Sequence, residues 1–183
     1  MKTDPANDEA ENNIGYLLHT HYSDLDAALT HLTNAASNGA NFVARNNLGL
    51  LYTELKKPME AKASFEQAIR MAPTYTYAIY NLATLLQDEF RQYDDSLTLY
   101  AQVLHINPID ADAEANIGVL YQYHLDTPAD ARKHYERAID IKVRLPSIYC
   151  LSQSVVYQLL FTAGSRCGPE VSCAVAPPRV QGV

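Results

Sequence analysis

Apolar and small side chains recur through residues 8–145 with a period of 34–35 residues. Each period holds two stretches of about 13 residues with apolar positions at helical spacing, which predicts two amphipathic helices per unit. The pattern divides this region into four units, 8–41, 42–75, 76–110 and 111–145. One helix pair cannot bury its apolar face alone, so the repetition predicts stacked pairs that share a continuous core.

Two positions in each unit predict how the helices pack. A small residue in the first helix allows the second helix to approach closely, and a large residue in the second helix fills the space between units. Pro58 and Pro128 are predicted to lie in first turns of second helices, where the missing N–H costs nothing. Pro73 and Pro108 are predicted to end second helices. The small residues are Gly15, Gly49, Ala83 and Gly118, and the large residues are Leu32, Phe65, Tyr100 and Tyr135.

The pattern over residues 8–145, about four units, resembles the tetratricopeptide repeat (TPR) family, most clearly in unit 42–75. The residues that carry the resemblance are Leu48, Gly49, Tyr52, Ala61, Phe65, Ala68 and Pro73. The resemblance implies an all-α fold, an α-α superhelix or solenoid of antiparallel helix pairs, with the first helices on the concave side. Ala40 and Val143 depart from the family pattern, because they stand where its closing proline belongs.

The sequences on either side of the repeats differ from them. Residues 1–7 are expected to be a flexible N-terminus. In 146–162, Ile148, Leu151, Val155 and Leu159 fall at helical spacing, so this segment is a possible capping helix. Residues 163–183 are rich in Gly, Pro, Cys and Ser and are expected to be a disordered tail.

Composition and charge narrow the classes of partner. The chain has 183 residues and a formal net charge of −7 without a basic run, which disfavours nucleic acid and anionic membranes as partners. No apolar run is long enough for membrane insertion, and the N-terminus does not resemble a secretory signal. All three cysteines lie after residue 149, so a cytoplasmic location is expected.

The motifs of common catalytic sites are missing from the sequence. It has no GxSxG, no Gly-rich phosphate loop and no HExxH, so we expect no catalytic residues and no cofactor. His19 and His21 form the one close histidine pair, and the sequence offers them no further metal ligands, so no metal site is expected.

Asparagine marks the candidate binding site. Asn13, Asn47, Asn81 and Asn116 recur at intervals of 34, 34 and 35 residues. On the first helices, such a file of amides is expected to face the groove and to hydrogen-bond an extended peptide backbone. The file resembles the asparagine ladder of O-linked N-acetylglucosamine transferases. However, Asn-Leu-Gly is also the common sequence at this position throughout the repeat family. Tyr77, Tyr80 and Thr84 are expected to lie nearby and to set local preference.

A second known mode of the family, capture of a C-terminal carboxylate, is disfavoured. The matching groove positions read Asn12, Asn46, Tyr80 and Ala115, and the basic residues that would hold the carboxylate are missing. Acidic residues such as Glu54 and Asp88 are present instead. The sequence therefore favours a neutral or basic peptide.

Three functions remain open at this stage. The leading hypothesis is a non-catalytic protein–protein interaction scaffold that binds an extended peptide segment of another protein in the concave groove. The first alternative is the substrate-targeting part of a glycosyltransferase-like enzyme, separated from its catalytic domain. The second is a structural subunit of a multiprotein assembly, for instance a transport or ciliary particle.

Overall fold

A computed structural model describes residues 5–37 and 41–144. The possible capping helix at 146–162 and the expected disordered tail at 163–183 lie outside the described residues. Residues 1–4 lie outside them too, but the first helix already begins at Pro5, within the segment expected to be flexible. A proline is well placed at a helix start, since its fixed φ suits the helix and its missing N–H would have no partner there.

Eight α-helices make up most of the described chain, which contains no strand. They pair in sequence, α1 with α2, α3 with α4, α5 with α6 and α7 with α8. The all-α superhelix of helix pairs is thereby confirmed. A short π-helical turn, Leu18–Tyr22, extends α1. The helices are α1 Pro5–Leu17, α2 Leu25–Ser37, α3 Phe42–Glu54, α4 Pro58–Met71, α5 Thr76–Asp88, α6 Tyr93–Ile106, α7 Ala111–Tyr123 and α8 Pro128–Arg144.

Local chemistry sets several helix ends. The side-chain oxygen of Asn41 accepts from the Ala44 N–H at 2.9 Å and so caps α3, and Asp110 caps α7 by accepting from Ala113. Pro58 opens α4 in the predicted way. The turn inside every unit contains one non-glycine residue with positive φ, a conformation that costs energy for an L-residue. These residues are Ser23, Lys56, Arg91 and Asp126.

Small residues allow the two helices of a unit to approach closely, as predicted. A Cβ placed on Gly49 would lie 2.5 Å from the Phe65 ring, and one on Gly118 would lie 2.5 Å from the Tyr135 ring. Both distances are far below van der Waals contact. A side chain at either glycine would therefore push the helices apart.

Large residues of the second helices fill the space between units. Phe65 is buried in one cluster with Leu82 and Leu85 of the next unit, and Tyr100 is buried with Ala113 and Ile117 of the last unit. The first helices also contact each other directly, α1 with α3 and α3 with α5. This contact brings the groove positions of neighbouring units within reach of one another.

Candidate functional site

Five asparagine side chains on α1, α3 and α5 form a continuous run of hydrogen bonds, here called the amide chain. Asn81 Nδ2 donates to Asn46 Oδ1 at 2.9 Å, and Asn46 Nδ2 donates to Asn47 Oδ1 at 3.5 Å. Asn47 Nδ2 then donates to Asn12 Oδ1 at 3.0 Å, and Asn12 Nδ2 donates to Asn13 Oδ1 at 3.2 Å. Every link runs in the same direction, from the third unit to the first.

Burial makes the amide chain a stabilising feature of the stack. Asn12, Asn46 and Asn47 are all buried, whereas Asn81 is partly buried and Asn13 is exposed. A buried amide without partners destabilises the fold, so each link satisfies a group that the packing has removed from water. Two of the links join different units, which holds neighbouring first helices in register.

Three of the four predicted asparagines, Asn13, Asn47 and Asn81, are thus connected through two residues outside the candidate set. The sequence places Asn12 and Asn46 only at the positions that would bind a C-terminal carboxylate. Their signal in the sequence is the recurrence of asparagine one residue before Asn13 and Asn47.

A different cluster forms where the third and fourth units meet. Tyr80 occupies the position that Asn12 and Asn46 hold in the first two units. Asn116 Nδ2 donates to Tyr80 Oη at 2.8 Å and to Tyr100 Oη at 3.1 Å. The Tyr100 hydroxyl lies 2.9 Å from Thr84 Oγ1, which donates to the backbone carbonyl of Tyr80 at 3.1 Å. We call Tyr80, Thr84, Tyr100 and Asn116 the tyrosine–amide cluster.

Both tyrosine hydroxyls of this cluster keep their protons at neutral pH. Burial raises the pKa of Tyr80 to about 12, and the negative charges of Asp112, Asp110 and Asp88 contribute to the rise. Burial likewise raises the pKa of Tyr100 far above its ordinary value. Each hydroxyl is therefore a hydrogen-bond donor as well as an acceptor.

Assigning each hydrogen of the tyrosine–amide cluster to an acceptor shows which donors and acceptors of the cluster have no partner. The single Thr84 hydroxyl hydrogen goes to a backbone carbonyl, so Tyr100 must donate to Thr84. Asn116 donates one amide hydrogen to each of the two tyrosine hydroxyls, so neither amide hydrogen is left. Within the described part of the chain, the Tyr80 hydroxyl hydrogen then has no acceptor and Asn116 Oδ1 has no donor. One open donor stands next to one open acceptor, which is the complement of a peptide group.

The other predicted residue, Tyr77, lies apart from this cluster. It is exposed in the first turn of α5, and its ring contacts Tyr75, whose ring packs against Phe42. Tyr100 is a site residue outside the predicted set, because its repeat position predicts only a core ring. The ring is indeed buried, and only its hydroxyl reaches the site.

The acidic residues differ in their surroundings. Glu54 contacts His19 Nε2 at 2.6 Å, and Asp112 accepts from Lys142 Nζ at 2.9 Å. Asp88 is exposed beside Glu89 at the end of α5.

Across residues 5–37 and 41–144, no three His, Cys, Asp or Glu side chains are grouped so as to hold a metal ion. No helix in those ranges is both long and apolar enough to cross a membrane.

Comparison with protein families identifies one repeat directly. Residues 43–75 match the tetratricopeptide repeat. The chain is 28% identical over 147 residues to the BBSome complex member bbs-4 of Caenorhabditis elegans, covering 76% of this chain and 30% of that protein. It is 32% identical over 156 residues to the protein O-mannosyl-transferase TMTC3 of Mus musculus, covering 77% of this chain and 17% of that protein. The chain thus spans less than a third of the length of either relative.

Solved structures share the fold. MamA superimposes with a TM-score of 0.70 at 20% identity, covering 79% of this chain and 83% of MamA. YrrB, described as a TPR protein with an unusual peptide-binding site, superimposes with a TM-score of 0.66 at 22% identity, covering 86% of this chain and 76% of YrrB.

Proposed function

The chain is a tetratricopeptide repeat protein, and from this premise we propose that it is a non-catalytic interaction scaffold that binds an extended segment of another protein along its first helices. The observation that carries the proposal is the open donor and acceptor pair at Tyr80 and Asn116. A peptide carbonyl accepts from the Tyr80 hydroxyl, and a neighbouring peptide N–H donates to Asn116 Oδ1. Such binding tolerates many sequences, since every peptide has these groups.

The asparagines of the amide chain contribute in a second way. Asn81 Oδ1 has no donor among the described residues, so in this proposal it accepts a further N–H of the bound segment. Asn47 holds α3 and α1 in register for the ligand through its bond to Asn12, and the exposed Asn13 side chain contacts the segment at the end of the amide chain. Tyr77, exposed at the start of α5, contacts a side chain of the segment and sets local preference.

The negative charge around Tyr80 favours one class of bound peptide segment. The carboxylates of Asp112, Asp110 and Asp88 act electrostatically on Tyr80, so the potential at the site is negative. A neutral or basic segment is favoured over an acidic one, and added salt weakens the preference for the basic one.

A displayed library of random peptides, selected on the full chain, tests the proposal. Bound peptides are expected to be extended, neutral or basic, and insensitive to most single side-chain changes. Fluorescence anisotropy then compares wild type with Tyr80→Phe, which removes the open donor together with the oxygen that accepts from Asn116 Nδ2. One hydrogen bond is worth about 0.5–1.5 kcal/mol, so the variant should bind roughly 2- to 13-fold more weakly.

The matched control is Tyr123→Phe, because Tyr123 is also on a first helix but is exposed outside the cluster. It should bind like wild type. If Tyr80→Phe, shown to be folded, binds with wild-type affinity, the open pair does not contact the peptide. If no peptide of any charge is selected, groove binding itself is wrong.

The two relatives favour two further candidate functions, each as part of a larger protein or assembly. Similarity to an O-mannosyl-transferase favours a targeting region of a glycosyltransferase-like enzyme. Similarity to a BBSome member favours a structural subunit. A transferase domain encoded downstream in the same transcript supports the first, and partner crosslinks confined to the second helices or to the array ends support the second.

A further inference from the structure

The first helix exposes apolar side chains at positions that are buried everywhere else in the array. Ile14 and Leu17 of α1 are each 44% exposed. Their six equivalents in the later units are at most 6% exposed. These equivalents are Leu48 and Leu51, Leu82 and Leu85, and Ile117 and Leu120.

The equivalent positions show which kind of surface fits this face. Leu48 and Leu51 of α3 pack in one core cluster with Leu32 and Ala36 of α2, the second helix of the preceding unit. Ile117 and Leu120 of α7 pack in the same way against α6. The apolar face of α1 is therefore shaped for the outer face of a second helix.

The last described helix exposes the complementary face. Ile139 of α8 is 46% exposed, whereas its equivalents Leu104 and Ile69 are partly buried against the core clusters. Tyr135 is also partly exposed, although its equivalents Phe65 and Tyr100 are fully buried. In the inner units, this face of the second helix is covered by the first helix that follows.

The charges of the two end helices are opposite in sign. Helix α1 carries three acidic residues, Asp8, Glu9 and Glu11, and no lysine or arginine. Helix α8 carries five basic and three acidic residues, so its net charge is positive, although each basic side chain forms an ion pair within the fourth unit. Opposite charge speeds the approach of two surfaces and disfavours pairing of like ends.

From these observations we infer that two copies of the chain associate head to tail, with the α8 face of one copy packed on the α1 face of the other. The contact repeats the interface already present between units, so the solenoid continues from copy to copy. It is a heterologous contact, which leaves one open face at each end of the complex and permits chains of copies. The inference does not depend on peptide binding in the groove.

Sedimentation velocity of the full chain over a range of concentrations tests the inference. Wild type should form dimers and longer species as the concentration rises. Ile14→Glu blocks only the α1 face, and Ile139→Glu blocks only the α8 face, so each variant alone should remain monomeric. An equal mixture of the two still holds one intact face of each kind and should form dimers and nothing larger.

Met59→Glu is the matched control, because Met59 is exposed on α4 away from both end faces and should leave association unchanged. Circular dichroism melting confirms that each variant is folded. The inference is wrong if wild type stays monomeric, as it would if another segment of the chain covered the α8 face. It is equally wrong if the mixture of variants stays monomeric, or if Ile139→Glu still dimerises, which would indicate pairing of two α1 faces.

Discussion

Replacing Phe65 with alanine should uncouple the two halves of the array. The side chain is 1% exposed and fills the space over Gly49 in its own unit and against Leu82 and Leu85 in the next. Burial of a side chain of this size stabilises a protein by about 1.5–3 kcal/mol, and the cavity left behind raises the total cost of Phe→Ala to about 3–5 kcal/mol. That is a large part of the roughly 5–15 kcal/mol that stabilises a typical domain.

Urea unfolding followed by circular dichroism measures this loss. Phe65→Ala should lower the midpoint strongly, and the transition should broaden, because units that share a weakened interface no longer unfold together. Met59→Ala is the control on the same helix, and its exposed position predicts a change below about 0.5 kcal/mol. Equal midpoints for the two variants would show that Phe65 does not connect the units.

Two further predictions concern the polar groups of the first helices. Asn46→Ala should lower the free energy of unfolding by about 1–3 kcal/mol, because it leaves the Asn81 amide without its acceptor. The control Asn13→Ala, at an exposed position, should lower it clearly less. Equal thermal midpoints for the two variants would contradict a stabilising amide chain. The free energy of unfolding should also fall as the pH rises from 10 towards 12, since the unfolded chain releases the Tyr80 proton at its ordinary pKa of 10.0 while the folded protein retains it up to a pKa of about 12. Tyr80→Phe should make that fall shallower in urea titrations at alkaline pH, and an unchanged slope would mean that Tyr80 ionises as readily in the folded protein.

The sequence alone is sufficient to predict the helix pairs and the residues that pack where the two helices of a unit meet. A period of 34–35 residues with apolar positions at helical spacing predicts both helices of each unit. The pairing of small Gly49 with large Phe65 could also be read from the sequence. It depends on two helices of one unit meeting at a fixed place, and that place recurs in every repeat.

The partners of the polar side chains depended on tertiary structure. The recurrence of Asn13, Asn47 and Asn81 marks the first helices, but it does not show that Asn12 links the first two and that Asn46 links the last two. These contacts join residues about 35 positions apart, so they depend on the rise and twist from one unit to the next. Tyr80 changes the partners again, because its longer side chain carries a hydroxyl to the place where an amide stands in earlier units.

Two other features were decided by the assembled array and not by local pattern. The turn residues with positive φ, such as Lys56 and Arg91, are not glycines, so the sequence does not mark these positions. Packing of the two helices on each other imposes this conformation on the turn. Ile14 and Ile139 stand at repeat positions whose equivalents in the inner units are buried or partly buried. Their exposure follows from their place at the two ends of the described stack, where no neighbouring unit covers them, and a repeat pattern that is the same in every unit cannot encode that difference.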